Sequence, residues 1–326
     1  MLVFALKGSE QLGASVADAL AVELAAHEER DFGGGEHKAR PLVSVRGQSV
    51  YVIHSLQGEP GASVNDKLCR LLFFLATCRE NGAAEVTAIC PYLAYSRKDR
   101  QTKARDPVTT RYVAALFEAM GTDRFVTLDV HNFAAFQNAF RCPTLHLSAR
   151  PLFCDAIART AGEAPVTVFS PDGGGVKRAQ LVREMLAGRS GIDAGFGFME
   201  KRRSRGVVSG DLFAGDVAGR TVFIIDDMIG SGGTMLRASE ACRERGATAV
   251  HAVATHGLFG TGAEALFESP ALDGILVTDS VSSARETAHR YSGRKLRILP
   301  AGPMIGETIR RLETGEPLSD FLGMED

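Results

Sequence analysis

The chain has 326 residues, 45% of them hydrophobic and 23% charged, which allows about two domains with full apolar cores. Lys plus Arg (37) nearly cancels Asp plus Glu (39), so no global charge points to nucleic acid. No apolar run reaches the length of a membrane span, and residues 1–6 read as a short apolar strand broken by Lys7 rather than a signal core. The six cysteines (Cys69, Cys78, Cys90, Cys142, Cys154 and Cys242) form no CxxC pair, as expected of reduced thiols in a cytoplasmic protein.

In chain order, apolar strands are predicted at residues 2–6, 50–53, 86–90 and 125–128, then at 166–169, 222–225, 250–254 and 275–277. Helical patterns fall at 11–25, 65–80, 107–120, 176–186 and 234–245. Apolar strands alternating with helices imply an α/β protein of mainly parallel sheets flanked by helices on both faces. An internal repeat organises them. Arg79-Glu80-Asn81-Gly82-Ala83-Ala84-Glu85-Val86-Thr87-Ala88 returns as Arg243-Glu244-Arg245-Gly246-Ala247-Thr248-Ala249-Val250-His251-Ala252, with six identities. Gly47 to Ser55 likewise parallels Gly219 to Asp227. A duplicated domain is expected, with a junction near residues 147–151: one domain over 1–147, a second over 148–302, and a C-terminal tail over 303–326 that is charged and mostly helical or tail-like.

The second copy carries the chemistry. Its strand at 222–225 ends in Asp226 and Asp227, followed by Met228-Ile229-Gly230-Ser231-Gly232-Gly233-Thr234 and a helix opening at Thr234. A strand–loop–helix joint of this kind gathers backbone N–H groups at the positive end of a helix dipole and forms a phosphate pocket. The two carboxylates at its lip suit sugar hydroxyls or a divalent cation, so a phosphorylated sugar is the expected ligand. In the first copy His54 and Ser55 replace these acids, so that half keeps the scaffold without the sugar site.

Four further segments fall at strand ends, where ligands of open α/β sheets gather. Ser170-Pro171-Asp172-Gly173-Gly174-Gly175 brings Asp172 to the same crevice as Asp226 and Asp227, and Asp129-Val130-His131 ends a strand of the first half. Two basic runs, residues 96–105 and 200–206, each follow an apolar strand and read as mobile phosphate clamps.

Taken together, residues 32–36, 91–107, 129–131, 170–174, 200–203 and 226–234 resemble, in order and spacing, the ribose-phosphate pyrophosphokinase (phosphoribosyl pyrophosphate synthetase) family. That resemblance implies two tandem, duplicated type I phosphoribosyltransferase-like domains. It also implies transfer of the pyrophosphoryl group of ATP to the anomeric hydroxyl of ribose 5-phosphate, with Mg2+ as cofactor. Carried over by position, Lys201 and Arg203 are catalytic. Phe32, Glu36, Arg97, Lys98 and His131 contact ATP. Asp226, Asp227, Gly230, Ser231, Gly232, Gly233 and Thr234 bind ribose 5-phosphate, and His131 and Asp172 hold the metal. Phe32 and Glu36 match positions that reach a neighbouring subunit, so a homo-oligomer, at least a dimer with a shared ATP site, is implied.

Three positions depart from the family pattern. Gly34 stands where an acid is usual, Lys98 where glutamine is usual, and Gly230 where the common bacterial pattern has Asp. The first two bear on adenine recognition and imply a weakened preference for ATP. Two rivals are a phosphoribosyltransferase, which needs only one such domain, and a non-catalytic partner subunit, which would have a damaged basic clamp. The duplication speaks against the first, and the intact Lys201, Arg203, Asp226, Asp227 and His131 against the second.

Overall fold

The structure is a computed structural model that describes residues 1–204, 207–291 and 295–322, with the backbone alone for 201–204, 207–211 and 320. Its contacts divide the chain into two units. Unit 1 comprises Met1–Ser148, Ser280–Ser282 and Pro300–Asp326; unit 2 comprises Ala149–Asp279 and Ser283–Leu299. Among the described residues no helix is long and apolar enough to cross a membrane.

Unit 1 is built on β1 (Leu2–Ala5), α1 (Glu10–Leu20), β2 (His27–Asp31), β3 (His37–Pro41), β4 (Ser49–Ile53), α2 (Val64–Glu80) and β5 (Glu85–Cys90). Then follow α3 (Thr109–Ala119), β6 (Arg124–Leu128), α4 (Phe133–Ala139) and β7 (Thr144–Leu147). Its main sheet runs β1-β4-β5-β6-β7, every pair parallel. Val50, Tyr51, Val52 and Ile53 are all buried, as in a strand covered on both faces. The helix α2 starts with a capping box: Ser63 Oγ accepts from Asp66 N (3.2 Å), and Asp66 Oδ2 accepts from Ser63 N (2.8 Å).

The strands β2 and β3 form a separate antiparallel hairpin that the sequence pattern does not reveal. They contain no apolar run. Cross-strand charge holds them instead, with Glu28 accepting from Arg40 (2.7 Å) and facing Lys38 (3.5 Å). Phe32 N donates to Glu36 O (2.8 Å) to close the tip, where Gly34 and Gly35 both sit at φ +89.

Unit 2 contains α5 (Arg150–Ala161), β8 (Val166–Ser170), α6 (Val176–Ser190), β9 (Gly195–Ser204), β10 (Val207–Ala214), β11 (Thr221–Ile229) and α7 (Gly233–Glu244). It continues with β12 (Ala249–Gly257), α8 (Glu264–Glu268), β13 (Gly274–Thr278), α9 (Ser282–Arg290) and β14 (Leu296–Leu299). The sheet runs β10-β9-β8-β11-β12-β13-β14, parallel except for β9 with β10. Strand order reverses between β8 and β11, and such a switch point opens a crevice at the strands' carboxyl ends. The five-stranded sheet of unit 1 has no such reversal, since β1, β4, β5, β6 and β7 follow one another across it. In each unit a hairpin stands between the helix that follows the first core strand and the second core strand, β2–β3 after α1 and β9–β10 after α6, which extends the repeat beyond what the sequence identities show.

Residues 303–322 are largely helical and belong to unit 1 instead of forming a tail. The helix α10 (Gly302–Thr314) packs on α1 within unit 1, and α11 (Ser319–Leu322) follows it. Glycine permits this crossing: a Cβ on Gly302 would lie 2.5 Å from Ser15 Cβ and 2.9 Å from its backbone carbon. Gly302→Val is therefore expected to force the helices apart and cost roughly 1–3 kcal/mol, the usual penalty for overpacking. The thermal midpoint should fall by several degrees; an unchanged midpoint would contradict this packing.

Candidate active site

The crevice of unit 2 is built where β8 and β11 end. The strand β11 continues through Asp226 and Asp227 to Ile229, further than the apolar pattern suggests. Past it, Ser231, Gly232, Gly233, Thr234 and Met235 offer five backbone N–H groups with no partner among the described residues. Gly232 is the N-cap of α7 at φ +79, and no side chain caps the helix, which begins at Gly233 rather than Thr234. The carbonyls behind the loop are tied down: Ile229 O accepts from Leu258 N and Phe259 N (3.0 Å each), and Gly230 O from Gly260 N (3.1 Å). A peptide's N–H points opposite to its carbonyl, so tethering those two oxygens turns the N–H groups of Gly230 and Ser231 the other way. Leu266 backs the loop as well, and a Cβ on Gly232 would lie 2.4 Å from its Cδ1. Neither residues 258–260 nor Leu266 gave a sequence signal.

The structure brings a cation to the two acids. Arg178 of α6 places one nitrogen, Nη1, 3.1 Å from Asp226 Oδ1 and 3.5 Å from Asp227 Oδ1. Asp227 N also donates to Asp226 Oδ1 (2.8 Å). Burial and the adjoining Asp227 push the Asp226 carboxyl well above the usual carboxylate range, against the pull of Arg178. Asp172 stands at the end of β8, exposed. Its Oδ1 accepts from Gly174 N (2.9 Å) and Gly175 N (3.0 Å), which fixes the carboxylate on its own turn.

In unit 1, residues 91–106 leave β5 and Asp129 to His131 leave β6, its neighbour in the sheet. A hydrogen bond from Asn132 Nδ2 to Asp99 Oδ2 (2.5 Å) links the two segments. His131 and Arg97 are exposed there. Lys98 is not free, because its ammonium pairs with Asp106 (2.6 Å). The Asp106 carboxylate also accepts from the backbone N–H of Thr102 (3.1 Å) and Lys103 (3.0 Å), and these bonds hold it far below the usual range, with Lys98 the largest cause. The run 96–105 is thus a knitted turn instead of the open clamp expected. Phe32 and Glu36 lie exposed on the separate hairpin tip, not on this sheet edge.

The first copy's counterpart of the acid pair is filled. His54 is fully buried, its Nδ1 3.3 Å from Ser9 Oγ, and burial pushes its imidazole down to about 3. Ser55 N donates to Ser9 Oγ (3.0 Å) and Ser55 Oγ to Ser280 O.

Lys201 and Arg203 lie on β9, in register with Asp211 and Val208 of β10, so the basic run 200–204 belongs to a strand and not to a loop. It shows no apolar period, which hid the strand, while β10 supplies its backbone partners. The side chains of Lys201 and Arg203 lie outside the described residues.

The profile of the N-terminal domain of ribose phosphate pyrophosphokinase matches residues 1–121, and that of the phosphoribosyl synthetase-associated domain matches residues 211–322. The chain is 34% identical over 320 residues to a ribose-phosphate pyrophosphokinase of Hyphomonas neptunium, covering 98% of each chain. It is 35% identical over 321 residues to one of Vibrio parahaemolyticus, again over 98% of each. The crystal structure of phosphoribosylpyrophosphate synthetase from Mycobacterium smegmatis superposes with a TM-score of 0.85 at 31% identity, covering 96% of this chain and 99% of that one.

Proposed function

The chain belongs to the ribose-phosphate pyrophosphokinase family, and from that membership we infer that it converts ATP and ribose 5-phosphate to 5-phosphoribosyl 1-pyrophosphate and AMP, for nucleotide biosynthesis. The anomeric hydroxyl attacks the β-phosphorus of ATP, the bond from that phosphorus to the α-phosphate oxygen breaks, and AMP leaves as the hydroxyl proton is lost.

The row of unpaired N–H groups from Ser231 to Met235, beside two carboxylates, carries the assignment of the sugar site. In this reading the loop from Gly230 to Thr234 holds the 5-phosphate through its backbone, with the Ser231 and Thr234 hydroxyls. Asp226 and Asp227 accept from ribose hydroxyls. Arg97 and His131 meet the nucleotide phosphates, and Lys201 and Arg203 offset charge developing on the transferred group. Phe32 and Glu36, on a projecting hairpin tip, are assigned to the adenine of a neighbouring subunit, which requires a homo-oligomer.

Magnesium fits the donors present. Among the described residues no three His, Cys, Asp or Glu side chains are grouped to hold a metal. A magnesium ion typically takes one or two carboxylates plus substrate phosphates and keeps its remaining waters. In unit 2, Asp172, whose Oδ1 is engaged with its own turn, still has Oδ2 to offer, and in unit 1 His131 is proposed separately as a metal contact. When bound, the ion would neutralise and orient the phosphates.

Donor choice tests the adenine assignment. Gly34 supplies no acceptor for the exocyclic amine, and the Lys98 ammonium is engaged by Asp106. Glu36 remains. A preference for ATP worth roughly 1–2 kcal/mol is therefore expected, the scale of one net hydrogen bond. The measurement is AMP release (for other donors, the corresponding monophosphate) dependent on ribose 5-phosphate, with ATP, GTP and CTP. A preference of ~10³-fold or more would mean that backbone groups around Gly33 to Gly35 read the base instead.

A further inference from the structure

We propose that Arg178 is a positioning residue for the sugar: it holds Asp226 and Asp227 in place as a pair of acceptors for the ribose hydroxyls, and so sets the preference for ribose over 2-deoxyribose 5-phosphate. This inference rests on the assignment of ribose 5-phosphate to the loop above.

Two adjacent carboxylates repel one another, and Asp227 is 3% exposed, so water screens the pair poorly. A single guanidinium nitrogen bridges them, reaching Oδ1 of each acid. The same Asp226 Oδ1 also accepts from Asp227 N, which fixes the carboxylate plane. With Oδ1 engaged twice, Oδ2 is the Asp226 atom assigned to accept from a hydroxyl. The arrangement is anchored from three elements. Arg178 comes from α6, one turn past the Asp172 turn, the acids come from β11, and the loop follows them. A bridging cation that uses only one nitrogen is poorly explained as a simple tie between α6 and β11, for which a two-nitrogen fork is the stronger geometry.

Ribose 5-phosphate offers hydroxyls at C2 and C3, whereas the 2-deoxy sugar offers only the latter. Disordering the acceptors should therefore harm ribose 5-phosphate more than its deoxy analogue.

The test uses the full chain with Arg178→Met and Arg178→Lys, and Asp227→Ala as control. KM and turnover are measured for both sugars, and folding is checked by circular dichroism. Arg178→Met should raise the KM for ribose 5-phosphate about 10- to 100-fold, the range for a lost charge-assisted bond, with turnover within a few-fold. The KM for the deoxy sugar should move much less. Arg178→Lys should recover part of the preference, since a point charge can still bridge the acids. If Arg178→Met leaves the preference intact, or both sugars suffer equally with a folded protein, the proposal is wrong. If Arg178→Met does not fold, Arg178→Lys decides alone: an unchanged preference with an unchanged KM overturns it. An unaffected Asp227→Ala would instead remove the sugar-site assignment itself, whereas damage by Asp227→Ala without damage at Arg178 refutes only the role of the arginine.

Discussion

Lys201→Ala is expected to lower turnover by at least ~10²-fold while the KM for ribose 5-phosphate stays within a few-fold. Breaking the bond between the α- and β-phosphates moves negative charge onto both fragments, and fixed cations stabilise that charge only as it develops. Removing one preorganised donor of this kind typically costs ~10²–10³ in turnover. An interaction made only in the transition state lowers turnover and catalytic efficiency together, without loosening the ground-state complex. Lys201 and Arg203 are placed on β9, paired there with β10, while the pairing of β9 with β8 covers Gly195 to Phe198. Support from a strand gives such cations a defined position, which a free loop would not. Arg203→Ala should behave alike. A turnover near that of the parent, measured at saturating substrates, would remove both residues from the chemistry.

What could be read from the sequence is what is local. The loop at 226–234 was legible because strand, acids, small residues and helix follow one another without interruption. Arg178 was not, because it meets Asp226 across 48 positions and a lone arginine on a helix reads as a solvated face. The hairpin of β2 and β3 escaped for a different reason. Its strands hold together by Glu28, Lys38 and Arg40, so no hydrophobic alternation marked them. Gly302 and Gly306 let α10 approach α1, where Cβ atoms would have collided with Ser15 and Ala19, and nothing local in the sequence marks that crossing. The run 96–105 looked like open basic charge because Asp106, its organising acceptor, stands one residue beyond it. Strand order leaves no local trace, so the reversal between β8 and β11, which explains why the second copy has the crevice, became visible only in the sheet.

The largest loss of substrate binding is expected from Gly232→Val. Gly232 holds φ +79, a region closed to β-branched residues, and a Cβ there meets Leu266 at 2.4 Å. The loop would have to shift and withdraw several of its five N–H donors from the phosphate. At roughly 1.5–3 kcal/mol for a hydrogen bond to a charged group, loss of two would weaken binding by at least ~10²-fold. Asp227→Ala, which removes one acceptor for a hydroxyl, should weaken it about 10- to 100-fold. His54→Ala, at the filled counterpart in unit 1, should lower stability by opening a cavity beside Ser9 and leave the sugar site untouched.

Calorimetric titration of ribose 5-phosphate into the parent protein and these three variants, each verified as folded, tests this division of the duplicated halves most directly. Binding should be lost in Gly232→Val, weakened in Asp227→Ala and retained in His54→Ala. Equal damage from His54→Ala, or parental affinity in Gly232→Val, would show that the sugar does not bind where β11 meets α7.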